Sequence, residues 1–310
     1  MPHLHSHDDD HSHHGAHIGS ATRAFAVVTL INLAYTALEA GYGFATNSLA
    51  LMSDALHNFG DVLGLGLAWG AAAMARRPPT VRHTYGWRRA TLLSPLANAL
   101  LLVGFAGALG WEALRRLEAP PEIPALPVIV VAAIGIAVNL GAAWFVREGH
   151  GHDLNRRGAF LHLLADAAVS LAAVIAGAGM WWLGWAWLDP ATSLLIGAVV
   201  AIGAFGLLRE SFNAAMDAVP RAIDQAAVRD FLAGQPGVVA VHHLHIWSLG
   251  AGEIAMTAHL VRPDDTDHDA FLDRLNHALD QRFGINHPTL QIEHGKACEH
   301  DRHDRAPHGH

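Results

Sequence analysis

Two His-x-x-x-Asp sequences lie in this chain, one from His57 to Asp61 and the other from His162 to Asp166. Each is embedded in a long apolar stretch. Residues four apart on an α-helix share one face about one turn apart, so each sequence sets an imidazole beside a carboxylate. Ionisable groups surrounded by hydrocarbon are costly and usually functional. Two nitrogens and two oxygens suit tetrahedral Zn²⁺, so the pattern predicts a divalent-metal site inside a membrane.

An alternative interpretation is that both pairs only stabilise helix contacts, because polar side chains do hydrogen-bond across membrane helices. The net charge of the four side chains favours a metal site over this interpretation. The two carboxylates and two neutral imidazoles together carry two negative charges, and one divalent cation neutralises them. We therefore expect protons to enter when the metal leaves, with histidine as their natural acceptor.

The composition indicates a membrane domain with polar ends. The chain has 310 residues, of which 52% are hydrophobic and only 15% are charged, whereas soluble domains carry about 25% charged residues. Its one cysteine, Cys298, excludes a disulfide framework or a four-cysteine zinc knuckle within one chain. The first 20 residues are rich in histidine and aspartate and do not resemble a cleavable signal peptide. The net charge is −8 with histidine counted as neutral, and we expect no nucleic-acid partner.

A membrane-spanning helix needs about 20 mostly apolar residues. Six segments meet this requirement, roughly 22–43, 48–74, 90–113, 125–147, 158–180 and 187–212. The connecting segments 76–89 and 147–157 are rich in arginine, which by the positive-inside rule places these loops and both termini in the cytoplasm. Arg115 and Arg116 are exceptions, because this orientation puts them on the opposite side.

Residues 213–295 have the pattern of a small α/β domain. Helical spacing covers 223–232 and 269–283, while 238–247, 253–261 and 289–294 are predicted strands, with a glycine-containing turn at 250–252. The polar ends, residues 1–20 and 296–310, are rich in histidine and are predicted to be disordered without a ligand. We expect them to bind metal weakly, with a purely solubilising role as the alternative.

The run from Asn47 to Asp61 closely resembles the second helix of the cation diffusion facilitator family. Further matches, in the same order, are His83–Ala90, His162–Asp166, Asp189-Pro190 and Val241–Ser248, and the resemblance covers about residues 20–295. It implies six membrane helices followed by a cytoplasmic ferredoxin-like α+β domain, a homodimer, and proton-coupled export of zinc or a similar ion.

Carried over residue by residue, the family's transport-site ligands are His57, Asp61, His162 and Asp166. Histidine at the first of these positions goes with zinc preference over cadmium in the family. Asp54, one turn before His57, either faces the same path or is an entrance or helix-packing residue.

The resemblance also implies metal binding in the soluble domain, at His242, His259 and His294. Either Glu293 or Cys298 could complete that set, and surface histidines without a ligand are the alternative. Strand alternation places His243 and His245 on the face opposite His242, which makes them weaker candidates for the same site.

Two departures from the family pattern concern the start of the third helix. Some members bind a second metal through two histidines four apart in the loop before that helix. Here His83 matches the first histidine, but Trp87 replaces the second, which puts the loop site in doubt. Thr91 stands where a glutamate is common.

The expected protein is thus a bacterial inner-membrane homodimer in contact with lipid, which exchanges cytoplasmic Zn²⁺ for protons. One alternative keeps the fold but changes the ion to cadmium, cobalt, iron or manganese. A second is an intramembrane metal-dependent hydrolase, although the chain has no His-Glu-x-x-His sequence and shows no glutamate base beside the four ligands. A third, a metal sensor without flux, leaves the membrane pairs unexplained.

Overall fold

The computed structural model describes residues 14–147, 154–263 and 267–295. Cys298 and most of both predicted tails lie outside these ranges. Six long helices come first, and a mixed domain follows them. Contacts divide the chain into two compact units, one comprising the residues up to 65 and 101–204, the other comprising 66–100 and the residues from 205 onward. Each unit is described by itself.

The six predicted helices are all present. Their bounds are α1 His14–Thr46, α2 Leu49–Ala75, α3 Ala90–Glu118, α4 Ala125–Arg147, α5 Leu154–Leu183 and α6 Leu188–Ala215. Within the described residues, α3 to α6 are long and apolar enough to cross a membrane. For α1, side chains are described only from residue 29, and α2 carries four polar residues between 54 and 61. The helical membrane domain is therefore confirmed, while spanning by α1 and α2 stays a prediction.

A carboxylate from another helix caps the start of α2. Asp189, in the first turn of α6, accepts hydrogen bonds from the backbone amides of Leu49 at 2.8 Å and Ala50 at 3.2 Å. The Ser48 hydroxyl donates to the same carboxylate. A negative charge there satisfies amides that lack helical partners and offsets the positive end of the helix dipole. A second hydrogen bond, between Ser53 and Ser193, also joins α2 to α6.

Arg116 has a structural role that accounts for its exceptional position. Its guanidinium donates to the backbone oxygen of Asn47 at 2.7 Å and to the Asn47 side-chain oxygen at 2.9 Å. Its Nε donates to Glu112 one turn earlier on α3. The charge is thus engaged at the end of α1, where Asn47 adopts a positive φ of 57°.

Small and medium apolar residues from α1, α2, α4 and α5 form the core of the first unit, namely Tyr35, Ala50, Leu51, Val128, Val131, Ala132, Ala173 and Met180. Many large apolar side chains of this unit remain exposed, among them Ile175, Trp182 and Ile202, at 63–75% exposure. Exposed apolar surface on this scale fits contact with lipid. Trp181, Trp182, Trp185 and Trp187 lie around the α5–α6 connection, in the manner of an interfacial aromatic belt.

The C-terminal domain has the predicted α-β-β-α-β order. Its elements are α7 Gln225–Ala233, β1 Ala240–Gly250, β2 Glu253–Val261, α8 His268–Phe283 and β3 His287–Glu293. The sheet order is β1-β2-β3, with β1 antiparallel and β3 parallel to β2. Eleven buried residues form its core, including Val228 and Leu232 of α7, Met256 and Leu260 of β2, and Leu275 and Leu279 of α8. Helices therefore cover one face of the sheet, as the sequence predicts.

The β1–β2 turn of the C-terminal domain contacts the beginning of α3. The backbone amide of Ala251 donates to the Thr91 hydroxyl at 2.9 Å, and that hydroxyl donates to the Arg88 carbonyl. Arg88 also forms an ion pair with Glu253. Gly250, at φ 98°, lies so close to Arg88 that a Cβ atom would overlap its carbonyl oxygen. Thr91, which departs from the family pattern, thus anchors this turn.

Candidate metal centres

The structure brings the four predicted membrane ligands together, with each imidazole paired to the carboxylate of the other helix. Nε2 of His57 on α2 lies 3.2 Å from Oδ1 of Asp166 on α5. Nε2 of His162 on α5 lies 3.1 Å from Oδ2 of Asp61 on α2, and 3.7 Å from Oδ2 of Asp166. The i,i+4 spacing puts each pair on one face, but the contacts cross between helices. Four donor groups consequently surround one small region.

Three of these residues already have the spacing of a metal site. Ligand atoms of His57, Asp61 and Asp166 all lie within 4.8 Å of one another. The ring centroids of His57 and His162 are 6.2 Å apart. With Zn–N bonds of about 2.0–2.1 Å, two imidazoles on one tetrahedral ion have centroids about 5.2 Å apart. An ion bound by all four residues would therefore draw the two rings together by about 1 Å.

A buried polar network lies beside this group on α1, α2 and α5. The Tyr35 hydroxyl donates to Glu39 at 2.7 Å, Asn58 donates to Glu39 at 3.3 Å and to Asp54 at 3.5 Å, and Ser170 donates to Asp54 at 2.8 Å. All five side chains are at most 5% exposed. Both oxygens of Asp54 are thus engaged in helix contacts. This geometry favours the packing interpretation of Asp54 over a ligand role.

The network contains Tyr35 and Ser170, which no sequence pattern singles out as functional. Gly135 on α4 approaches both, and a Cβ atom there would overlap the Tyr35 side chain. Only the density of polar residues within apolar helices hints at such a network from sequence, because the partners lie far apart in the chain.

The loop before α3 does not assemble a second histidine site in the described residues. The His83 ring stacks on Trp87, with centroids 4.3 Å apart and an interplanar angle of 29°. Trp87 occupies the position of the missing second histidine. It therefore covers one face of His83 rather than adding a ligand.

The C-terminal domain gathers a second group of metal-type ligands. Ligand atoms of His242, His259 and Glu293 lie within 4.8 Å of one another. The Glu293 carboxylate is 2.9 Å from Nδ1 of His259 and 3.2 Å from Nε2 of His242. Burial favours a higher pKa for Glu293, but the hydrogen bond from His259 and the nearby His242 outweigh it and hold the pKa below its ordinary value. The carboxylate is thus kept in the charged form that metals bind.

His294, predicted as the third ligand of this group, faces elsewhere. Its Nδ1 contacts the backbone oxygen of Arg262 at 3.1 Å. Neighbouring residues of a strand face opposite sides, and Glu293 pairs with Val261, two residues after His259, which puts Glu293 on the histidine face. His243 is expected on the face opposite His242. Its ring nevertheless lies beside His259, with the two ring centroids 4.9 Å apart.

These features define a multi-pass helical membrane protein with a cytoplasmic-type α+β domain and two clusters of metal-type ligands. Residues 25–214 match the cation efflux transmembrane domain, and residues 220–295 match the cation efflux protein cytoplasmic domain. The chain belongs to the cation efflux family of transporters, also called the cation diffusion facilitators. It is therefore a membrane transporter and not an enzyme, and the hydrolase alternative is wrong.

Relatives match over nearly the full length. The "Zinc transporter ZitB" of Escherichia coli (strain K12) is 34% identical over 304 residues, which cover 96% of each chain. The "Cadmium, cobalt and zinc/H(+)-K(+) antiporter" of Bacillus velezensis is 31% identical over 287 residues, or 91% of each chain. A solved structure, the metal-bound C-terminal domain of the CzcD transporter from Cupriavidus metallidurans, is 35% identical and covers 23% of this chain and 99% of its own, with a TM-score of 0.22.

Proposed function

We propose that this transporter exports Zn²⁺ from the cytoplasm in exchange for protons, with His57, Asp61, His162 and Asp166 as its ligands. The observation that carries the proposal is the crossed pairing of two imidazoles with two carboxylates across α2 and α5. Four such donors close a tetrahedral shell, which suits binding and release rather than catalysis with an open position.

Proton coupling follows from the charge of the ligand set. Two carboxylates without a cation would leave two negative charges at a site where Asp166 is almost fully buried. Protons on the imidazoles restore neutrality, and each protonated ring then donates to the carboxylate it faces. Zn²⁺ arriving from the cytoplasm displaces these protons, and protons from the other side displace the metal. Rocking of the helices exposes the site to each side in turn, as the family resemblance implies.

Two relatives support zinc as the ion, because both names include it. The second name adds cadmium, cobalt and potassium, so the same fold carrying another cation is the alternative. Two nitrogen ligands favour zinc, cadmium or cobalt over manganese, which prefers oxygen-rich sites.

The test uses purified protein in vesicles with an imposed pH gradient and an enclosed zinc indicator. We expect Zn²⁺ movement to follow the proton gradient, and Asp61→Asn and Asp166→Asn each to abolish it while leaving insertion intact. Asp273→Asn, at an exposed position on α8, is the matched control. Zinc–proton exchange that survives either membrane substitution would contradict the site, and a panel of Zn²⁺, Cd²⁺, Co²⁺, Fe²⁺ and Mn²⁺ tests the ion.

We further propose that His242, His259 and Glu293 bind metal in the cytoplasm and that the protein is a homodimer. The 4.8 Å grouping and the match to the family's cytoplasmic domain support this. The expected arrangement is a tail over residues 1–20, a transport domain over 21–212, a cytoplasmic domain over 213–295 and a second tail over 296–310. Both termini face the cytoplasm of a bacterium. Native mass spectrometry of the detergent-solubilised protein tests the dimer.

A further inference from the structure

A β-bulge in β1 changes the direction of His243. His242 pairs with His259, but the next paired residue, His245, is opposite Thr257, so β1 contains one extra residue between them. His243 is the residue that absorbs it, with a positive φ of 50°. Such a conformation is uncommon outside glycine. Bulges often occur next to functional sites, where they redirect a side chain.

The redirected ring completes a triangle of imidazoles. The centroids are 5.3 Å apart for His242 and His243, 5.2 Å for His242 and His259, and 4.9 Å for His243 and His259. Three imidazoles bound to one tetrahedral Zn²⁺ have centroids about 5.2 Å apart, given Zn–N bonds of about 2.0–2.1 Å. The rings therefore already have the spacing of a three-histidine site. His245 does not join the triangle, because its side chain is exposed and its centroid lies 6.4 Å from that of His243.

We infer that His243 is the fourth ligand of the cytoplasmic metal site, and that it closes a three-histidine, one-carboxylate shell with His242, His259 and Glu293. The inference rests on the proposed cytoplasmic site and adds the residue that excludes water from it. Only the other three residues have ligand atoms within 4.8 Å of one another. Binding consequently requires the His243 side chain to rotate about its own torsions and bring one nitrogen inward, with the ring staying near its present place.

Closure by His243 has a chemical consequence. A three-residue site keeps an exchangeable water and resembles catalytic zinc sites, whereas four protein ligands give the saturated arrangement of structural zinc sites. The inferred site would hold Zn²⁺ or Co²⁺ tightly and would exchange it slowly. Two other sources could supply a fourth ligand, namely Cys298 and the histidine-rich tails, most of which lie outside the described residues.

Co²⁺ spectroscopy of the full-length protein distinguishes these sources, because four-coordinate Co²⁺ absorbs much more strongly in the visible than five- or six-coordinate Co²⁺. The background carries Asp61→Asn and Asp166→Asn to remove the membrane site, and Cys298→Ser to remove the native thiol. A further variant with His242→Ala and His259→Ala provides the reference, so that the difference spectrum isolates the cytoplasmic site from the tails.

We expect the difference spectrum to have the strong four-coordinate bands and His243→Asn to replace them with the weak bands of a water-ligated ion. Asparagine is chosen because it tolerates positive φ. His243→Cys should restore the strong bands and add a near-ultraviolet sulfur-to-cobalt transition, a signature that only a direct ligand produces. Zn²⁺ affinity of His243→Asn should fall by at least about ten-fold, because even residues that only support a metal ligand cost 10- to 100-fold when changed. His245→Asn is the matched control and should leave the spectrum unchanged.

Four-coordinate bands that survive His243→Asn would overturn the inference. It would also fail if removal of residues 1–17, or restoration of Cys298, changed the coordination instead. A difference spectrum of zero would overturn both this inference and the cytoplasmic site, while leaving the membrane site to its own vesicle test.

Discussion

Among the four proposed membrane ligands, His57 is the one whose replacement by aspartate would leave a site dominated by carboxylates. It faces Asp166 on the neighbouring helix and is 19% exposed, whereas the other imidazole, His162, is half exposed. The more enclosed nitrogen is therefore better placed to influence which ion is accepted.

Replacing His57 by aspartate exchanges a nitrogen ligand for an oxygen and adds a negative charge. We expect His57→Asp to lower the ratio of Zn²⁺ to Cd²⁺ transport several-fold, because the family resemblance associates histidine at this position with zinc preference over cadmium. Initial rates for both ions in the same vesicles measure the ratio. His277→Asp, on the exposed side of α8, makes the same change away from the site. An unaltered ratio would contradict a selective role for His57.

Asp267, at the start of α8, offers a pH-dependent test in the C-terminal domain. Hydrogen bonds from Arg274 and Arg262, at 2.9 and 2.8 Å, lower the pKa of Asp267 below its ordinary value. A group with a lowered folded-state pKa stabilises the fold above its unfolded pKa and loses that contribution as pH falls through the folded pKa. We expect Asp267→Asn to lower the melting temperature at pH 7, with the difference shrinking below about pH 4.

Asparagine removes the charge of Asp267 without adding backbone strain, because Asp267 has a φ of 63° and asparagine tolerates this conformation. Thermal unfolding of both proteins over a pH series gives the result. If Asp267→Asn lowers the melting temperature by the same amount at every pH, the charge of Asp267 does not contribute to stability.

Helix α4 contains one glycine in a crowded position and one in open space. Substitutions at the two positions test how tightly the helices pack. A Cβ atom at Gly135 would overlap Tyr35 and press on Ser170, whereas Gly141 has nothing within 4 Å. We expect Gly135→Ala to destabilise the protein by about 1–3 kcal/mol through overpacking. Gly141→Ala should be neutral or slightly stabilising, because alanine favours helix. Melting curves in one detergent compare them, and equal curves would contradict the close approach.

The β1–β2 turn also contains two glycines whose substitutions can be compared. Gly250 and Gly252 both have positive φ, at 98° and 80°, but only Gly250 lies against Arg88 and Thr91. Both alanine substitutions strain the backbone, so the difference between them reports the contact with α3. We expect Gly250→Ala, but not Gly252→Ala, to speed hydrogen exchange of the Ala251 amide, which donates to Thr91. Equal exchange in the two variants would show that the turn does not depend on this contact.

The elements were largely predictable, whereas some side-chain groupings were not. The sequence predicts the bounds of β2 and α4 because apolar periodicity and the flanking turn residues agree there. It favours His294 over Glu293 beside His242 and His259, whereas the structure has Glu293 there, because a one-residue uncertainty at the end of β3 exchanges the two side chains. It also misses the bulge at His243, because an extra strand residue depends on pairing between distant segments.

At the scale of the whole protein, the histidine-rich N-terminal segment extends beyond the described residues. It has seven histidines between residues 3 and 17. We propose that this segment captures metal without forming the membrane site. Deletion of residues 1–17 should then raise the Zn²⁺ concentration for half-maximal transport without changing the maximal rate. Replacing those histidines by asparagine at constant length should have the same effect. Complete loss of transport in a correctly inserted deletion would contradict this role.

The cap that Asp189 places on α2 holds that end of the helix against α6, so that it would act as the pivot in any tilt of α2. His57 and Asp61 lie eight and twelve residues beyond Leu49, or about 12 and 18 Å along the axis. A tilt of about 10° about the pivot would therefore displace these ligands by about 2–3 Å. Metal sites tolerate deviations of only about 0.2 Å, so a tilt far too small to unpack the helices would suffice to open the proposed metal shell. A small tilt of α2 would therefore be enough to change the affinity for the ion steeply.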